Sequence, residues 1–196
     1  MGEVLGLLGG VGGGKSTVAG ILARRGLRVL DADAEARAVA ELPEVRAALA
    51  TRFGADVLDA AGQLDRARLA ERAFDSPEAL AALNALVHPR VRERLLAALD
   101  AAGAAPVVLD VPLLLESPLA ARVTRWVFIE AAEQARERRV SQERGWPAGE
   151  RARREAHQPA LHAKRSRAGH VLENDGTIEH LERQVDALLR QIGIAT

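Results

Sequence analysis

The chain has 196 residues, no cysteine, and 27 acidic against 27 basic side chains, so its formal net charge is zero. That balance excludes the overall positive field of a nucleic-acid or membrane-surface binder, and the missing cysteine excludes disulfides, thiolate metal sites and cysteine nucleophiles. With 48% hydrophobic and 28% charged residues, no apolar run near 18 residues and no basic leader, the expectation is one soluble cytoplasmic domain with an insert or two, monomeric or a small homo-oligomer.

The first element is a short buried strand, Val4-Leu5-Gly6-Leu7-Leu8, and it runs into Gly9-Gly10-Val11-Gly12-Gly13-Gly14-Lys15-Ser16. The second stretch matches G-x-x-x-x-G-K-[ST], the phosphate-binding loop, and an amphipathic helix over 16–25 follows, with Val18, Ile21 and Leu22 on one face. Strand, loop and helix are what the chemistry needs. Glycines let backbone N–H groups turn inward around a polyphosphate, and the helix N-terminus adds unpaired donors and a positive dipole end. Lys15 is placed to reach the terminal phosphates and the Ser16 hydroxyl to coordinate magnesium. The alternative is a glycine-rich turn that merely starts a helix. Against it stands the use of lysine itself: of 27 basic residues only Lys15 and Lys164 are lysine, and a slim ammonium fits between phosphates where a guanidinium does not.

Gly26 closes the first helix, and a second strand over 27–30 ends at Asp31-Ala32-Asp33. In open parallel sheets ligands bind beyond the carboxyl ends of the strands, which expects both acids on the phosphate-loop edge. One of them can equally cap the helix expected from about residue 34, but capping needs one acid and not two. Short helices are expected at 35–42, 43–53 and 65–74, with a turn at Ala61-Gly62. Ser76-Pro77-Glu78 has the chemistry of a helix start, and the apolar spacing from Leu80 to Leu99 runs through His88-Pro89, where proline predicts a kink. His88 at that kink is either aimed at a substrate or part of the helix break.

A third, wholly apolar strand over 106–111 carries Asp110 near its end, either to support a metal or to stabilise a nearby loop. A fourth strand is expected at 123–129. Positive charge then concentrates: residues 136–167 hold ten basic side chains (Arg136, Arg138, Arg139, Arg144, Arg151, Arg153, Arg154, Lys164, Arg165, Arg167) against four acids (Glu137, Glu143, Glu150, Glu155), interrupted at Gly145-Trp146-Pro147. This is either a hinged lid that closes arginines over a polyphosphate or a solvated face laced with ion pairs. A fifth strand at 170–174, a turn at Asp175-Gly176 and a scaffold helix from Thr177 complete the chain. Five strands alternating with helices predict a three-layer α/β fold with a parallel sheet. Phosphate loop, acid pair and arginine segment together point to phosphoryl transfer onto a hydroxyl, with an aspartate as base.

Several stretches, in order over nearly the whole chain, also resemble dephospho-CoA kinase. They are the run from Gly6 through Thr17, Val29-Leu30-Asp31-Ala32-Asp33, Leu64-Asp65-Arg66, Leu86-Val87-His88-Pro89, Val111 to Glu116, and Val171-Leu172-Glu173-Asn174-Asp175-Gly176. The resemblance implies a P-loop kinase fold, with a nucleotide core (1–57, 101–137 and 161–196), a helical acceptor region (58–100) and a lid (138–160). It implies ATP, with Mg2+, as donor and dephospho-CoA as acceptor at its ribose 3′-hydroxyl, with no nucleic-acid or membrane partner. By the same likeness Gly12, Gly13, Gly14, Lys15, Ser16 and Thr17 hold the ATP phosphates, and Asn174 and Gly176 lie near the adenine. Asp33 is the base and Asp31 supports it or the metal; Arg66, His88, Leu113 and Glu116 lie toward the acceptor. The sequence departs from the family at one point: Glu143 stands where a second lid arginine is expected, and Arg144 with Arg139 is the substitute pair. A kinase of another small hydroxyl metabolite or of a nucleoside monophosphate remains the rival within this class. A nucleotide-dependent switch and an RNA binder are rivals outside it, although the guanine-reading Asn-Lys-x-Asp of a GTPase is absent.

Overall fold

A computed structural model describes residues 2–194. The chain divides into two compact units, Met1–Leu30 with Ala101–Thr196, and Asp31–Asp100.

The first unit is built on a five-stranded parallel sheet in the order β2-β3-β1-β4-β5. Its strands are β1 (Val4–Gly9), β2 (Arg28–Asp31), β3 (Val107–Asp110), β4 (Arg125–Glu130) and β5 (His170–Glu173). The all-apolar β1 is buried along its whole length, as a central parallel strand must be. Leu5 pairs with Val108 on one side and with Arg125 on the other, so β1 lies between β3 and β4. Every chain segment that leaves β1 therefore starts at the middle of the sheet's carboxyl edge. Gly6 faces Trp126 across the β1–β4 ladder, and a Cβ there would lie 2.9 Å from the indole ring.

Helix α1 (Lys15–Arg24) and the last helix, α9 (Ile178–Gln191), share a core with the sheet: Val18, Ile21 and Leu22 meet Leu181, Val185, Leu188 and Leu189 over Leu5, Leu7, Val127 and Leu172. The amphipathic spacing of both helices dictates this face. Gly26, at φ 85°, ends the turn after α1, and Thr177 caps α9 by accepting from His180 N at 3.3 Å.

The second unit holds α2 (Ala32–Ala40), α3 (Pro43–Phe53), α4 (Arg66–Phe74) and most of α5 (Pro77–Ala102), around a core that includes Val39, Val45, Leu49, Val57, Leu69 and Ala73. Its helix starts follow local chemistry. Asp65 accepts from the amides of Ala67 and Arg68, and Ser76 accepts from Ala79 N at 3.1 Å. Helix α5 runs on through Pro89 as one helix. Val87, Val91, Leu95 and Leu99 stay buried at four-residue spacing across it, so burial of that stripe offsets the lost hydrogen bond. The Arg90 guanidinium donates to Leu86 O at 3.3 Å in the same turn.

Between β4 and β5 the arginine-rich segment forms three short helices, α6 (Glu133–Arg144), α7 (Glu150–Glu155) and α8 (Leu161–Arg167). Gly145, at φ 64°, ends α6 where the sequence predicts the interruption.

Candidate active site

The chain leaves β1 through Gly9 and enters α1 at Lys15. The N-cap of α1 is Gly14, at φ 92°; among the described residues no side chain caps the helix, and no acid sits in its first turn. A ten-residue helix that starts in this way at the centre of the carboxyl edge has the unpaired amides and the positive dipole end that suit an anion. Gly14 is doubly required: its φ is left-handed, and a Cβ would collide with Asn174 Nδ2.

The Lys15 ammonium folds back over this loop, donating to Gly9 O at 3.3 Å and Gly10 O at 3.2 Å. The residue is half-buried. Burial pushes its pKa below the ordinary lysine value, Lys164 and Arg144 push it the same way, and the carboxylates of Asp110 and Glu155 oppose them. Asp110, at the end of neighbouring β3, thus acts electrostatically on the loop lysine. Ser16 and Thr17 lie exposed in the first turn of α1.

Asn174 ties three elements to the loop. Its Nδ2 donates to Gly13 O at 2.9 Å, its amide donates to Glu130 O at 2.8 Å, and its carbonyl accepts from Arg139 Nη2. Arg139 also donates to Gly12 O at 3.4 Å. Asp175 accepts from Ala132 N and so fixes the start of α6, and Gly176 is exposed in the turn beyond. Arg144 lies 4.9 Å from the Trp146 ring centroid and Arg154 lies 4.1 Å from it. The loop residues, Asn174, Arg139 and Arg144 therefore gather within the first unit, around Lys15.

Three residues join them that sequence reasoning left among the general basic and acidic count. Among the described residues the buried polar or charged side chains are Arg136, Arg151, Lys164 and Asn174; the first three lie between the start of α6 and β5, and Asn174 directly follows β5. Burying charge is costly without partners. Lys164 donates to Gln158 Oε1 at 2.7 Å; burial pushes its pKa down while Glu155 and Glu116 pull it up. Its signal was present in the sequence, since it is the second exception to the use of arginine. Arg136 pairs with Glu155, and Glu155 accepts from Val11 N at 2.9 Å, inside the phosphate loop. No local pattern announces that contact, because its partners lie 144 residues apart. Other arginines of the segment serve as ion-pair partners: Arg153 and Arg154 both hold Glu150, whose pKa their hydrogen bonds bring down to about 2, and Arg165 holds Glu130. Leu113 is 42% exposed with a left-handed φ of 53°, and Glu116 is exposed in the short 3-10 turn that follows.

In the second unit Asp31 and Asp33 are told apart by their bonds. Asp31 Oδ1 accepts from Asp33 N at 2.8 Å and Ala34 N at 3.0 Å, so Asp31 is the cap and α2 starts at Ala32, two residues before the sequence expectation. Asp33 is exposed in the first turn. Arg66 is exposed at the start of α4 and pairs with Glu41 at 2.8 Å, and His88 is exposed on α5.

A central parallel sheet with a glycine-rich loop opening onto an uncapped, lysine-bearing helix defines a P-loop kinase. The fold alone goes no further: a solved structure of shikimate kinase from Acinetobacter baumannii superposes with a TM-score of 0.55 over 98% of this chain and 93% of that one, at 16% identity. The family model of dephospho-CoA kinase matches residues 3–180. A dephospho-CoA kinase from Deinococcus radiodurans is 47% identical over 194 residues, 97% of this chain and 92% of that protein. A crystal structure from Thermus thermophilus, 38% identical, superposes with a TM-score of 0.78 over 97% and 98% of the two chains. The chain belongs to the dephospho-CoA kinase family.

Proposed function

We propose that this chain transfers the γ-phosphoryl group of ATP to the ribose 3′-hydroxyl of dephospho-CoA, giving coenzyme A and ADP, with the residues gathered around Lys15 as the donor site. The observation that carries the reading is the phosphate loop opening onto an uncapped helix in a chain matched by the family over residues 3–180. The loop amides from Gly12 to Thr17 and the Lys15 ammonium hold the donor's phosphates, Asn174 and Gly176 face its adenine, and Arg139 and Arg144 stabilise charge during transfer. Asp33 takes the hydroxyl proton as the acceptor oxygen attacks. Arg66 and His88 in the helical region 58–100, with Leu113 and Glu116, orient the acceptor, and residues 138–160 act as the lid.

The donor set also fits magnesium. Among the described residues no three His, Asp or Glu side chains cluster as a self-sufficient metal cage, and Mg2+ characteristically takes one or two protein oxygens and completes its shell with phosphates and water. By the likeness to the family, Ser16 and the carboxylate of Asp31 are the residues that would hold it; Ser16 lies exposed at the start of α1, and Asp110 acts electrostatically on the neighbouring Lys15. Bound there, the ion would neutralise phosphate charge.

The test is a coupled assay of the purified protein with ATP, offered dephospho-CoA, AMP, shikimate and gluconate separately. Dephospho-CoA is the preferred acceptor; preference for any of the others overturns the assignment.

A further inference from the structure

Glu155 occupies a place in the phosphate loop that an anion from a ligand would take. Its Oε1 accepts from Val11 N at 2.9 Å and from Arg136 Nη1, and its Oε2 accepts from Arg151 Nη1. Backbone amide and buried guanidinium converging on one anionic oxygen is the recognition pattern of a phosphate. The approach is close: a Cβ on Gly10 would lie 2.5 Å from the same Oε1 and would collide with Arg136 Nη1. The second half of that pattern is incomplete. Arg136 is only 6% exposed, and among the described residues its Nε has no hydrogen-bond partner. It lines a small cavity of about 130 Å³ with Gly10, Ile129, His162 and Arg165. A buried charged donor left unpaired is costly, and an oxygen acceptor entering beside it would remove the cost.

We infer that Arg136 is a further phosphate ligand of this site and that Glu155 is its place-holder, a lid carboxylate that competes with the donor's phosphate for Val11 N and Arg136. The inference rests on the loop holding the donor's phosphates. Binding then becomes an exchange of anions: the phosphate oxygen takes the Val11 amide and the Arg136 fork, and Glu155 keeps Arg151, which also holds Glu133 and Glu137 and so stays neutralised. The exchange penalises weakly charged ligands. A group with less negative charge than a polyphosphate gains too little to displace the carboxylate, so the pair raises selectivity for a triphosphate tail at the expense of affinity.

Isothermal titration of the full chain with the non-hydrolysable β,γ-imido analogue of ATP, with inorganic tripolyphosphate and with adenosine tests this. Glu155→Gln keeps the side chain's shape and removes its charge, and is expected to bind the analogue and tripolyphosphate about three- to tenfold tighter. Arg136→Gln is expected to bind both at least tenfold more weakly, and neither substitution changes the adenosine response. Opposite signs at two partnered residues are not what a merely structural pair gives. Unchanged or weakened polyphosphate binding in Glu155→Gln overturns the place-holder, and unchanged binding in Arg136→Gln overturns the ligand. Melting curves accompany each variant. Should Arg136→Gln fail to fold, Arg136→Lys decides, its point charge expected to bind tripolyphosphate more weakly than the fork, and wild-type affinity overturning the assignment. Lys15→Ala is the separate control: if it binds tripolyphosphate as the wild type does, the loop reading fails whatever the other variants do.

Discussion

The carboxylate of Asp31 spends one oxygen on the amides of Asp33 and Ala34, whereas that of Asp33, two residues on, is exposed in the first turn of α2. The two acids should therefore separate under substitution. Asp31→Ala removes a cap and is expected to cost about 1 kcal/mol of stability, while Asp31→Asn, itself a good cap, costs little. Asp33→Asn should melt like the wild type and bind nucleotide normally, yet lose about a hundred- to ten-thousand-fold in turnover, because an amide cannot take the hydroxyl proton. Near-normal turnover in Asp33→Asn would move the base elsewhere. Lys15 offers a test by pH. Burial holds its pKa below the ordinary lysine value in the free protein, and a polyphosphate beside the ammonium favours the charged form and raises that pKa. Since the bound value lies above the free one, affinity is full below the free value and falls as pH rises through it, and binding takes up protons between the two. Titrations just below the unperturbed lysine value, about 10.4, in buffers of different ionisation enthalpy should show that uptake. Proton release there would contradict it.

Among the elements, α7 is held differently from the scaffold helices. It has six residues, and its anchor is Arg151, 4% exposed, whose guanidinium meets the carboxylates of Glu133 and Glu137 from α6 and Glu155 from its own helix. Removing the cation leaves three acids facing one another. Arg151→Ala is expected to cost about 2–3 kcal/mol, toward the low end for a broken buried pair because Glu133 and Glu137 retain solvent. Hydrogen exchange should locate the loss in α6 and α7 and leave α9 protected; equal deprotection of α9 would show that Arg151 is not a local anchor. The contrast with α9 marks what could be read from sequence. Helices α3, α5 and α9 begin at or within a residue of expectation because Pro43, Ser76 and Thr177 are local stop-and-start signals, and α9 carries its packing face in its own spacing. The strands followed from short apolar runs, and the loop from its glycines and lysine. The apolar spacing through Pro89 was legible as a helix running across a proline, and α5 does continue through it with a buried stripe on both sides. The arginine-rich segment was legible as charge, with ion pairs as one of its readings, but not as particular pairs. Which arginines neutralise acids and which remain for a phosphate depends on contacts such as Arg136 to Glu155 and Glu155 to Val11, made between elements far apart in the chain.

At the scale of the molecule, the split into two units distributes the proposed chemistry unevenly. The phosphate loop, Asn174, Arg139 and Arg144 belong to Met1–Leu30 and Ala101–Thr196, whereas Asp33, Arg66 and His88 belong to Asp31–Asp100. Each unit has its own buried side chains, Leu22 and Leu189 in the first and Leu49 and Val57 in the second, all fully enclosed. Stability is local where packing is local, so a cavity in one core should be felt first by the chemistry that core supports. Leu49→Ala in α3 is expected to cost about 2–5 kcal/mol, the range for truncating a buried leucine. If the second unit handles the acceptor, that loss raises the KM for dephospho-CoA and lowers amide protection across 32–74, while tripolyphosphate still binds at the loop with near wild-type affinity. Leu189→Ala in α9 makes the reciprocal case: its side chain packs in the core that backs α1, so polyphosphate affinity falls and protection is lost in α1 and α9. Measured side by side, the two variants should exchange phenotypes. Equal damage to both affinities by either variant would mean that the units open together and that donor and acceptor binding draw on a single cooperative core.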